Sequence, residues 1–130
     1  MASAPFSLQP WPAGEPPPDV LVIAGEASGD DHAARLIRDL RARQPGVRVA
    51  ALGGPALRDA GAHLLYDLTA HAVVGLVEVL KNYGFFKKLF AQTVAWIEQF
   101  QPRAVLLVDY PGFNIRLAKK LFQTGQSRRA

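Results

Sequence analysis

Three short apolar runs limit what this chain can fold into: Asp19 to Gly25 (DVLVIAG), Val47 to Gly54 (VRVAALGG) and Ala104 to Asp109 (AVLLVD). A continuous run of Val, Leu and Ile this short reads as a strand covered on both faces, as in a parallel sheet. Between the first two, Ala33, Leu36, Ile37 and Leu40 recur at helical spacing, with Arg35, Arg38, Asp39 and Arg41 among them, and Pro45-Gly46 closes that helix. Residues 55–61 predict a short helix ending at Gly61, and His63 to Tyr66 a third strand. Val73 to Phe100 reads as helix in two pieces that part near Asn82–Gly84. YPGF is a turn, Asn114 is the expected N-cap of a last helix running through Phe122, and Gly125 is its expected stop.

Buried strands alternating with amphipathic helices make an α/β chain, a Rossmann-like parallel sheet with flanking helices. Right-handed crossovers then predict the strand order 3-2-1-4. In that order the first and fourth strands are neighbours on either side of a topological switch point. Ligands of open α/β sheets bind in the crevice there, outside the carboxyl ends of the strands. The loops at that place are GEASGD (Gly25 to Asp30) and DYPGFN (Asp109 to Asn114), so two polar segments some eighty residues apart are expected to share one crevice.

The 130 residues are enough for one ordinary domain, and 49% hydrophobic against 20% charged residues is a globular balance, not that of a disordered polymer or a coiled coil. No apolar run approaches the roughly 20 residues of a membrane-spanning helix, and the first eighteen residues lack the basic and apolar regions of a secretory signal. Six of the ten prolines fall in residues 1–18, which predicts a flexible Pro-rich arm before a domain over 19–125 and a tail over 126–130. The absence of cysteine excludes disulfides, thiolate metal sites and cysteine nucleophiles. Charge divides unevenly: residues 1–80 hold six basic and nine acidic side chains, residues 81–130 nine basic and two acidic. The basic half suits an anionic surface, or is simply the solvated face of helices with a basic end.

In GEASGD, glycines 25 and 29 permit backbone shapes and close approaches that a Cβ forbids. Ser28 or Asp30 can cap the helix that follows, and the free N–H groups at its start can hold a phosphate or sugar hydroxyl. The same residues equally describe a strand-to-helix turn with ordinary caps. The segment is neither G-x-G-x-x-G, since Ala27 and Asp30 stand where glycines are required, nor a Walker A loop. Asp109 closes an apolar strand, where partial desolvation would suit a carboxylate to take a proton from a hydroxyl; the bland alternative is a turn-forming Asp. The stretch Lys81 to Phe100 sets Lys81, Lys87 and Lys88 beside an aromatic stripe that includes Phe85 and Phe86, fitting a membrane interface or a core-facing helix side, or both. His32, His63 and His71 have no metal-ligand spacing and read as surface or capping residues; no metal site and no cofactor is expected. Nothing beyond charge suggests nucleic acid, which is not an expected partner.

VIAGEASGD (Val22 to Asp30), LGGPAL (Leu52 to Leu57), VVGLVEVL (Val73 to Leu80) and LLVDYPGFNIRLAKKL (Leu106 to Leu121), in this order and spacing, resemble the lipid-A-disaccharide synthase family from about Asp19 to Gly125. The resemblance implies the N-terminal half of a GT-B glycosyltransferase fold. It also implies transfer of 2,3-diacylglucosamine from UDP-2,3-diacylglucosamine to 2,3-diacylglucosamine 1-phosphate, with inversion and without a metal at the reaction centre. The implied place is the cytoplasm, peripheral to the inner face of the bacterial inner membrane, with Phe85, Phe86, Lys87 and Lys88 as membrane-facing candidates. By position Asp109 is the implied catalytic residue, as general base on the acceptor's 6-hydroxyl or as its orienter. Glu26, Ser28, Gly29 and Asp30 line the implied acceptor cleft; Asn114 matches the motif's Asn and reads more as an architectural cap. Glu78 falls in the matching V-G-x-x-E-V-L segment, chemical or structural in role. Gly112 stands where many relatives carry Asp, and Ala33 where glycine is common.

Relatives continue beyond this length with another strand and a second domain that holds most of the UDP-sugar site. The expectation is therefore a truncated chain with half of an acceptor site, inactive alone, with sheet edge and helix faces uncovered. The alternatives are a membrane-surface-binding Rossmann module without catalysis, half of another GT-B transferase, or half of a nucleotide-binding oxidoreductase, against which the missing G-x-G-x-x-G argues.

Overall fold

A computed structural model describes residues 7–69 and 83–126. Within them the elements run β1 (Val20–Ala24), α1 (Ala27–Arg43), β2 (Val49–Gly53), α2 (Pro55–Asp59), β3 (His63–Asp67), α3 (Tyr83–Phe100), β4 (Ala104–Val108) and α4 (Pro111–Gln123). The four strands form one parallel sheet in the order β3-β2-β1-β4, as the crossover rule predicts. The expected helix between Val73 and Asn82, with His71, Glu78 and Lys81, lies outside the described residues.

Alternation along the strands separates two cores. Leu21 and Ile23 of β1 point to one face, with Ala50, Leu52 and Leu65, under Leu89 and Ile97 of α3 and Leu117 and Leu121 of α4. Val22 and Ala24 point to the other, with Ala51, under Ala33, Ala34 and Ile37 of α1 and Leu57 of α2. Small residues on both sides of that second interface let α1 lie close to the sheet. β4 departs from the expectation of a strand buried on both faces. Its residues are half-buried or exposed, because β1 flanks it on one side and no described strand on the other. A cavity of about 770 Å³ runs beside it, lined by Ile97, Val105, Leu107, Ala118 and Leu121.

Helix stops follow the sequence. α1 ends at Arg43, just before Pro45-Gly46. After α4, Gly125 takes φ +77°. Its N–H bonds Phe122 O at 3.2 Å while that of Gln126 bonds Leu121 O at 2.9 Å, a Schellman closure. Asn114, by contrast, is not the N-cap of α4. The helix begins at Pro111 with Tyr110 as its cap, which places Asn114 inside the first turn. A proline at the first helical position needs no partner for a missing N–H, and this moves the start forward.

From residue 8 onward the Pro-rich segment makes contacts with the domain. Gln9 N–H donates to Leu65 O at 2.8 Å, so the arm lies along the outer edge of β3. Leu8 N–H donates to Gln92 Oε1 at 2.9 Å, and Leu8 and Trp11 pack on the core beneath α3. His63 Nε2 meets Pro10 O at 2.9 Å, and its ring stands edge-on to Trp11 at 5.4 Å. Proline cannot complete a ladder, but two apolar anchors and these polar ties give the segment a fixed seat.

Asp30 also corrects the sequence reading. It does not cap its own helix: α1 has Glu26 at its N-cap position and no side-chain cap. The Asp30 carboxylate, only 3% exposed, reaches across to the loop after β2. It accepts N–H bonds from Gly54 at 2.9 Å, Ala56 at 2.9 Å and Leu57 at 3.1 Å, so it caps α2 instead. Gly54 has no room for a side chain there, since a Cβ would stand 2.7 Å from Asp30 Oδ2 and 2.6 Å from Thr69. The exchange Asp30→Asn turns one acceptor oxygen into a donor facing these N–H groups. It is expected to cost about 2 kcal/mol or more in urea denaturation, whereas Leu36→Ala, at a position 48% exposed, should change stability by at most about 0.5 kcal/mol.

Candidate active site

β1 and β4 run in register, Ala24 beside Val108, so the residues that follow each strand meet directly. These are Gly25-Glu26 leading into α1 and Asp109-Tyr110 leading into α4. The two loops do share one crevice. A Cβ on Gly29 would sit 3.4 Å from Asp109 Oδ2, which places that carboxylate against the first turn of α1. Gly25 bears the Tyr110 ring directly, and a Cβ there would collide with it. Gly25 is thus required by contact with the opposite loop, not by an unusual backbone angle, while a Cβ at Gly29 would meet Asp109, Ala24 and Val108 only at ordinary contact distance.

Asp109 and Tyr110 both adopt the left-handed region, with φ of +53° and +52°. Such residues cost about 1–3 kcal/mol each and gather at functional sites. Asp109 is exposed, so the desolvation expected at a strand mouth is not there; the carboxylate faces solvent in the crevice. Asn114, 4% exposed, bridges the two strand ends: its Nδ2 donates to Asp109 O at 2.6 Å and lies 3.5 Å from Ile23 O.

Glu26 and Ser28 are exposed at the mouth, and neither caps α1. The first turn of α1 therefore presents N–H groups with no side chain across them, whereas α4 opens with Pro111, which has no N–H, and its Phe113 and Asn114 N–H groups donate to Tyr110 O at 3.2 and 2.9 Å. The uncapped start of α1 makes this side of the crevice favourable to anionic and hydroxyl oxygens. Gly112, in the first turn of α4, has open space where a side chain would stand. Of the groups expected at the cleft, Glu26, Ser28, Gly29 and Asp109 come together, Asn114 lies beneath them, and Asp30 turns away to the loop after β2.

Sequence reasoning missed Tyr110. Its ring stacks on Phe113 at 5.7 Å and meets Phe86 at 6.1 Å. Burial, and secondarily the Glu26 carboxylate, push its hydroxyl up to about 12. A run of rings continues from Phe86 to Phe85 at 5.5 Å and on to Tyr66 at 5.5 Å. Phe85 and Phe86 are thus half-buried, seated against the site, while Lys87 and Lys88 are exposed beside them. The signal that could have found Tyr110 is an aromatic directly after the strand-end acid, opposite a glycine with no other duty. Among the described residues no three His, Asp or Glu side chains gather as a metal-ligand set, and no helix is long and apolar enough to cross a membrane.

A parallel sheet in this order, with a carboxylate at its switch point, defines a Rossmann-like α/β domain. The family model described as lipid-A-disaccharide synthetase matches residues 20–129, so the chain belongs to that glycosyltransferase family. It is 45% identical over 100 residues to lipid-A-disaccharide synthase 1 of Legionella pneumophila, covering 77% of this chain and 26% of that relative. It is 47% identical over 103 residues to the lipid-A-disaccharide synthase of Nitrosococcus oceani (79% and 27%) and 42% identical over 109 residues to that of Myxococcus xanthus (84% and 28%). The chain thus spans about a quarter of the length of these relatives, matching their N-terminal part. The match disfavours the oxidoreductase and non-catalytic alternatives.

The raised Tyr110 hydroxyl has a sign that can be measured. Between about pH 10 and 12 the unfolded chain releases this proton while the folded chain keeps it. Stability from this group is fully present below pH 10 and is lost as pH rises through that window. Ultraviolet titration, with Tyr110→Phe as the reference that lacks the signal, should show the midpoint of Tyr110 fall in Glu26→Gln, by less than the whole shift because burial is the larger cause.

Proposed function

We propose that the β1–β4 crevice is the acceptor side of a glycosyl transfer, in which 2,3-diacylglucosamine passes from UDP-2,3-diacylglucosamine to 2,3-diacylglucosamine 1-phosphate. The observation that carries this reading is the placement of Asp109: an exposed carboxylate at the strand-end switch point, set against Gly29 in a loop bent for no reason of local preference. In the reaction Asp109 takes the proton of the acceptor's 6-hydroxyl as its oxygen bonds the anomeric carbon of the donor, and the bond to UDP breaks with the electron pair leaving on the diphosphate. Gly29 lets the sugar approach the backbone of α1. Glu26 and Ser28 offer polar contacts at the mouth, and the uncapped N–H groups at the start of α1 suit the acceptor's phosphate. Asp30 serves by fixing the start of α1 rather than by touching the sugar. The donor sugar is brought to the crevice by the part of such enzymes that this chain does not span.

The acceptor is a lipid, and we place the domain at the inner face of the cytoplasmic membrane through the start of α3. Lys87 and Lys88 face solvent there, next to the half-buried Phe85 and Phe86, which gives cations at the headgroup level above apolar rings.

Two experiments test this reading. Residues 20–129 can replace the matching segment of the Nitrosococcus oceani enzyme. The chimera should release UDP from the two substrates, and Asp109→Asn should lower turnover about 10²–10⁴-fold; undiminished turnover would remove Asp109 from the chemistry. In liposome flotation with anionic vesicles, Phe85→Asp with Lys87→Glu should shift the 130-residue chain to the unbound fraction. Unchanged partitioning would eliminate this helix start as the anchor.

A further inference from the structure

Two consecutive left-handed residues, neither of them Gly or Asn, persist only where the surroundings over-determine them. Here the surroundings are specific. Asn114 Nδ2 donates to the carbonyl of the peptide joining Asp109 to Tyr110, at 2.6 Å, and stands 3.5 Å from the carbonyl of Ile23 in the neighbouring strand. The backbone N–H of Asn114 donates to Tyr110 O at 2.9 Å, and the Tyr110 ring rests on Gly25. The amide is 4% exposed, and its Oδ1 is buried with no partner among the described residues. A buried acceptor left unpaired costs about 1–3 kcal/mol, which sets itself against the bonds that Nδ2 makes.

We propose that Asn114 is the positioning residue for Asp109: its amide locks the bend after β4 against the end of β1 and so holds the Asp109 carboxylate over Gly29. It touches no substrate. Its relevance to catalysis rests on the reading of Asp109 as the acting group, but the lock itself is a property of this chain and can be read without turnover.

The test is NMR on the 130-residue protein. In the wild type, the Asn114 side-chain protons should exchange with solvent at least about tenfold more slowly than those of the exposed Gln44. Residues 109 and 110 should show the strong intraresidue amide-to-Hα contact of positive φ. Asn114→Asp, of the same shape but without the donor, and Asn114→Ala should both lose that signature and the Asp109–Gly29 contact while the remaining spectrum keeps its dispersion. Leu117→Ala, a buried apolar change on the same helix, should lower stability yet leave the signature in place. Retention of the signature in both Asn114 variants overturns the proposal. If those variants do not fold, fast exchange of the wild-type Asn114 amide overturns it and slow exchange sustains it. A chimera indifferent to Asp109→Asn would defeat the functional reading and leave the lock standing, so the two failures are distinct.

Discussion

Two adjacent residues at the start of α1 hold the domain together by facing opposite ways. Gly29 faces the loop after β4, where a side-chain carbon would meet the Asp109 carboxylate at 3.4 Å. Asp30 turns to the loop after β2 and satisfies three backbone N–H groups there. A buried carboxylate is tolerable only when its oxygens are paired, and here the pairing is complete enough to fix both the loop and the helix it caps. One turn of helix therefore sets the relative positions of all three strand-end loops around the central strand.

The crevice inherits its rigidity from this arrangement. Its floor is strand ends in register, its walls are helix starts, and its strained corner at Asp109 and Tyr110 is pinned by an amide from α4 and a glycine from the opposite loop. Chemistry that depends on one carboxylate meeting one hydroxyl needs such over-determination, because small misplacements of reacting groups are costly in rate.

The sheet order, the element boundaries to within a few residues and the meeting of GEASGD with DYPGFN were legible because period and hydrophobic run length determine them. The individual duties of polar residues were less so. Asp30 looks like a cap for the helix it begins, and only the fold shows that the N–H groups of the next helix lie nearer. Asn114 looks like an N-cap because Asn often is, but Pro111 claims the start of the helix and leaves Asn114 to span two strands. In the Pro-rich segment, Leu8 and Trp11 pack against the core at seats that no local pattern announces. In each case a long-range contact outweighed a local preference.

The docked arm gives the sheet a direction of growth. With Gln9 bonded to Leu65, the flank at β3 is occupied in the middle, while no described strand pairs with the outer flank of β4, and a hollow of mixed polar and apolar lining lies beside it. A strand added in parallel beside β4 would bring its carboxyl end next to Asp109. Addition of mass and enlargement of the crevice would then be a single event.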